Sequence, residues 1–134
     1  MKLLIKTSLG AAVLALCLPA MGQVVVVMHP KATESSLSKD QVSQFFLGKS
    51  NALTPVDQTD GAIRSEFYKK VTDKDISQVK SLWSKLVFTG RATMPKEAAD
   101  GVAVKKIVAG DPKAIGYIDR SMVDASVKVV YAAQ

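Results

Sequence analysis

Where a polar turn gives way to helical periodicity, the chain carries Thr59, Asp60, Gly61, Ala62, Arg64 and Ser65, a run of residue types suited to holding an anion. A helix start presents unbonded amides and the positive end of its dipole, which is what an oxyanion needs. Thr59 and Ser65 add hydroxyl donors, and the Arg64 guanidinium is a planar fork matched to phosphate oxygens. Asp60 works against this, because as a capping side chain it would occupy the same amides and its charge would repel a dianion. Two readings stay open. In one, Arg64 is a ligand group whose loss weakens binding and spares stability; in the other, it is a solvated residue of a plain capped helix.

Other reactive residue types lack the company their chemistry requires. His29 is the only histidine and follows a strand beside Pro30, with no spacing that would gather carboxylates around it, so no metal site is expected. Asp57 with Asp60, and Asp119 with Asp124, are spaced as paired carboxylates for acid/base work. Such pairs are common in loops, and no nucleophile or cofactor motif accompanies them. The chain reads as non-enzymatic and without a cofactor. Trp83 sits at helical spacing with apolar neighbours and is expected in the core, whereas Arg91 falls in a loop and is expected in solvent.

The 134 residues carry a formal charge of +6. Lys2 and Lys6, an apolar stretch from Leu9 to Leu18 and small residues near Ala20 to Gly22 follow one another as in a cleavable export signal. Cleavage is expected after Gly22, giving a signal peptide over 1–22 and one periplasmic domain over 23–134. The apolar stretch falls short of the roughly 20 residues that span a bilayer. Lipidation at Cys17 is disfavoured by the bulky Leu16 before it. Removing Lys2 and Lys6 leaves a mature charge of +4 and no cysteine, so the core alone must supply stability. The remaining basic residues are scattered from Lys31 to Lys128 and Trp83 is the sole tryptophan, a pattern that argues against nucleic-acid binding.

The elements that must position these residues are signalled locally. Val24 to Val27 is an unbroken β-branched run, expected as a central strand buried on both faces. Ser38 and Gln41 form a capping box before a helix with Val42, Phe45 and Phe46 on its apolar face, ending at Gly48. A short strand is expected over Leu53 to Val56, a polar turn over Asp57 to Gly61, and a helix with Ile63, Phe67 and Val71 inward. From Asp75, the apolar residues Ile76, Val79, Leu82, Trp83 and Leu86 describe another helix, closed at Thr89-Gly90. Arg91 to Lys96 reads as a loop. Val104, Ile107 and Val108 mark a helix stopped by Gly110, and Ala114 to Ile118 and Val127 to Tyr131 read as strands. This alternation predicts an α/β fold, a mixed sheet of about four strands covered by helices, with Val25, Val27, Phe45, Ile63, Phe67, Leu82, Leu86, Ile107 and Ile115 in one core.

Four phrases in order, Val24 to Val27, Leu37-Ser38-Lys39-Asp40-Gln41-Val42, Phe46-Leu47-Gly48-Lys49 and Ala114-Ile115-Gly116-Tyr117, resemble the phosphate ABC transporter substrate-binding family. The resemblance runs from Val24 to about Val130. It implies a single, three-layer-like lobe of the type 2 periplasmic-binding-protein fold, and a non-enzymatic solute-binding role with phosphate or another small oxyanion as ligand. Two departures stand out. The family has two lobes closing on the anion and this chain matches one, so tight binding would call for a homodimer or an envelope partner. The family's ligand loop, roughly R-x-D-G-S-G-T, is matched by Asp57-Gln58-Thr59-Asp60-Gly61-Ala62-Ile63-Arg64, without its serine and threonine in either register, although Arg64 offers a replacement positive charge. The competing expectation is an accessory module of the envelope that keeps the lobe fold and has lost the ligand.

Overall fold

The computed structural model describes residues 23–133; the expected signal peptide and Cys17 lie outside them. Strand β1, Val24–Met28, is the run of valines, and every one of its residues is buried. An unbroken apolar strand has no face to offer water, so both faces must be covered. Helix α1, Lys39–Phe46, starts at the expected capping box: the Ser38 side chain accepts from Gln41 N while the Gln41 side chain accepts from Ser38 N. Gly48 follows with φ +75. A side chain there would also collide with Leu86, since a Cβ would lie 2.5 Å from Leu86 Cδ1.

Strand β2 is Thr54–Gln58, followed by α2, Ala62–Thr72, and α3, Ile76–Phe88. Asp75 caps α3 in a second capping box with Gln78. A three-residue strand β3, Lys96–Ala98, precedes α4, Gly101–Ala109, whose cap is Asp100. Strand β4, Ala114–Asp119, and strand β5, Lys128–Ala132, complete the sheet. The strand order is β3-β2-β4-β1-β5. β2 runs parallel to β3 and β4, and β1 runs antiparallel to β4 and β5. The α/β class and mixed sheet are as expected, with a fifth strand that begins at Lys96, the last residue of the expected loop, and ends at Ala98.

Alternation along β1 divides the core in two. Val24, Val26 and Met28 face a cluster that includes Phe46, Phe67, Tyr68, Val79, Trp83, Ile115 and Tyr117. Val25 and Val27 face Val56, Val104, Val108 and Ile118. Helices α1 to α3 therefore cover one face and α4 the other, which gives three layers. This corrects the single core expected from sequence: Val25, Val27 and Ile107 belong to the α4 side, while Phe67 and Ile115 belong to the opposite side. Phe45, Ile63, Leu82 and Leu86 pack on the margin of that second side, only partly buried. Trp83 is 5% exposed and donates from Nε1 to Phe46 O at 2.9 Å, so it is a core residue as expected.

Candidate functional site

The run from Asp57 to Ser65 crosses the carboxyl end of β2 and enters α2, the place in an open α/β sheet where ligands are usually met. The polar turn expected from Asp57 begins later, because Asp57 and Gln58 are the buried last residues of β2. Parallel pairing of β2 with β4 puts Val56 opposite Gly116, which brings Tyr117 beside Asp57. The Tyr117 hydroxyl donates to Asp57 Oδ1 at 2.6 Å, and Gln58 N donates to the same oxygen at 2.9 Å. The Gln58 side chain donates to Tyr117 O at 2.8 Å, tying the two strand ends together.

Arg64 turns inward from the first turn of α2 and is 8% exposed. Its Nη2 donates to Asp57 Oδ2 at 3.1 Å and its Nη1 to Asp60 Oδ1 at 2.6 Å. Burial is the largest influence and opposes the guanidinium's charge, but the Asp57 carboxylate, the neighbouring tyrosines and the Asp60 hydrogen bond together outweigh it and hold Arg64 above its ordinary pKa. Arg64 is thus neither solvated nor free. Lys80 of α3 donates to the second Asp60 oxygen at 3.3 Å, and this bond, followed by the Lys80 charge and the Arg64 hydrogen bond, keeps Asp60 below the usual carboxylate range. The Tyr68 hydroxyl is buried and meets no partner at hydrogen-bond geometry, as is Arg64 Nε. Burial first, then the nearby Asp57 charge, raises Tyr68 well above the ordinary value of 10.0, and the same causes act on Tyr117.

The remaining predicted site residues are distributed along the rim. Thr59 donates from N to Ala98 O at 3.1 Å and from Oγ1 to Ala99 O at 3.2 Å, so its hydroxyl is committed to the chain beyond β3. Asp60 does not cap α2. The N-cap is Gly61, which supplies no side-chain bond, and the amides of Ala62, Ile63 and Arg64 have no acceptor among the described residues. Gly61, Ala62 and Ser65 are exposed at this open helix start.

Sequence reasoning missed Asp57 as a buried counter-ion, along with Tyr68 and Tyr117. One signal was available: Arg64, Tyr68 and Val71 are spaced four and three apart, which puts the arginine on the buried stripe of α2. The other proposed pairs have local duties. Asp119 accepts from Ser121, and Asp124 binds Lys105 and Ser126. His29 Nδ1 accepts from Lys31 N, and no cluster of metal-ligating side chains occurs among the described residues.

No protein-family model matches this sequence, and no curated protein is similar enough to match it. Solved structures do. A phosphate ABC transporter substrate-binding protein from Clostridium perfringens, with bound phosphate, superposes with a TM-score of 0.63 at 23% identity, over 80% of this chain and 43% of its own. An ABC-type phosphate transport receptor from Vibrio cholerae gives 0.63 at 17% identity, over 80% and 44%. The chain has the fold of one lobe of such binding proteins and spans less than half the length of either.

Proposed function

We propose that this chain is an exported, non-enzymatic binding-protein lobe that acts as an interaction module of the cell envelope, not as a tight receptor for a free anion. The observation that carries this is the engagement of both terminal nitrogens of Arg64 by Asp57 and Asp60. The corner already holds its own anion. An incoming phosphate would compete with a buried carboxylate for the guanidinium while facing the exposed, ionised Asp60. Export and a periplasmic location follow from the leader-like pattern over 1–22. No described helix is long and apolar enough to cross a membrane.

A second reading has its own support: the open start of α2, where Ala62, Ile63 and Arg64 offer unbonded amides beside Thr59, Asp60, Gly61 and Ser65. A helix start of this kind suits phosphate, and one neighbour in fold carries phosphate. A single lobe leaves such an ion half in water, where each bond is weak, so a homodimer or an envelope partner would have to supply the second wall. Thermal melting of the purified protein with and without phosphate, sulfate and molybdate separates the two. The interaction-module reading expects an unchanged melting temperature at millimolar anion; a rise with one anion, growing with its concentration, would favour the anion site.

A further inference from the structure

At the amino end of β2, opposite the Arg64 corner, the surface opens into a groove of about 1110 Å³ lined in part by Leu53, Thr54, Pro55, Trp83, Val87 and Met94. That exceeds the roughly 300 to 1,000 Å³ of small-molecule clefts. Its deepest members, Leu53 and Trp83, are 4% and 5% exposed. Two apolar side chains of its lining meet solvent at the edge: Met94 is 61% exposed and Val87 40%. Apolar side chains left in water at the edge of a hollow floored by a tryptophan are the pattern of a surface that meets a partner. The charged residues lining the groove are Lys49 and Arg91, both exposed, with no acid among the lining residues. Neither cation is in an ion pair among the described residues.

We propose that this groove docks an acidic peptide segment with apolar anchors, presented by another protein. Apolar side chains of the segment would fill the hollow over Trp83 and cover Val87 and Met94, while its carboxylates would meet Lys49 and Arg91. A second copy of this chain fits less well, because a two-fold contact through one patch brings its like charges close together. A flat lipid surface would touch Val87 and Met94 and leave the hollow unfilled. The inference rests on the interaction-module reading and adds to it a surface and a partner chemistry.

The test uses the purified protein and a short synthetic peptide alternating glutamate with leucine and phenylalanine, beside its lysine-for-glutamate counterpart. Anisotropy of the labelled peptides reports binding, and the emission of Trp83, the sole tryptophan, reports occupation of the groove. The acidic peptide is expected to bind, to shift Trp83 emission, and to bind less tightly as salt rises, while the basic peptide does not bind. Charge reversal by Lys49→Glu with Arg91→Glu should weaken binding about tenfold or more, and Met94→Ala should also weaken it without loss of folding. The proposal is overturned if the acidic peptide fails to bind, if both peptides bind equally, or if the charge reversals change nothing. It is also overturned if Met94 instead drives self-association or binding to phosphatidylglycerol vesicles. The anion melts remain the separate judge of the interaction-module reading, which stands if they show no shift even when the peptide does not bind.

Discussion

Arg64 is held between two carboxylates of its own chain, and the inner one, Asp57, has a side chain only 8% exposed. Removing one partner of a buried pair strands the other charge in a poorly solvated place, so Arg64→Ala should cost roughly 3 to 5 kcal/mol in denaturant melts. A loss near zero would mean that the arginine is a ligand group without structural duty. The two tyrosines beside Asp57 make an opposed pair. Tyr117→Phe removes a 2.6 Å bond to a carboxylate and should destabilise by about 1.5 to 3 kcal/mol. Tyr68→Phe removes a buried hydroxyl without a partner and should stabilise by about 1 kcal/mol. Both folded-state hydroxyls hold their protons above the ordinary value of 10.0. Above that pH the unfolded chain loses those protons first, so stability falls as pH rises, by about 1.4 kcal/mol per pH unit for each tyrosine. Tyr68→Phe should therefore flatten the alkaline limb of stability against pH; an unchanged slope would show that Tyr68 titrates normally. The Arg64 cluster was hard to foresee because Tyr117, 60 residues from Asp57, completes it, and until that bond is known Asp57 reads as an exposed turn residue.

Among the elements, β4 and α4 fit each other through Gly116. A Cβ at that position would lie 2.6 Å from Val104 Cγ1 and 3.4 Å from Val108 Cγ2, so the bare backbone sets how closely the helix lies on the sheet. Gly116→Ala should push α4 outward and cost about 1 to 3 kcal/mol in chemical denaturation, and Val104→Ala in the same chain should recover part of the loss. Failure of Val104→Ala to compensate would locate the clash elsewhere. Elements whose ends are written locally were legible in the sequence: α1 and α3 carry capping boxes at Ser38 and Asp75, and Gly48 and Gly90 follow their ends with φ of +75 and +73. β2 was read too early, because Asp57 and Gln58 look like turn residues until Tyr117 is known to bond them. β3 escaped because Lys96–Ala98 is a short edge strand with two exposed residues, supported by β2 alone. The division of the core was hidden by β1 itself, since a run of valines shows no alternation from which to tell its faces apart.

At the scale of the whole molecule, the chain folds as one lobe, and its match covers less than half the length of its structural neighbours. An anion bound by a single lobe keeps water on one side, and the corner that would bind it has instead been neutralised from within by Asp57 and Asp60. The open amides at the start of α2 remain the one feature of that corner an anion would find attractive. Whether these amides suffice is a question of affinity, and calorimetric titration of phosphate, sulfate and molybdate into the wild-type protein answers it directly. The account predicts no saturable heat up to millimolar anion, for the wild type and for Asp60→Asn alike. A one-to-one isotherm with the wild-type protein, tightened by Asp60→Asn and weakened about tenfold to a hundredfold by Arg64→Ala, would contradict it and establish the anion site.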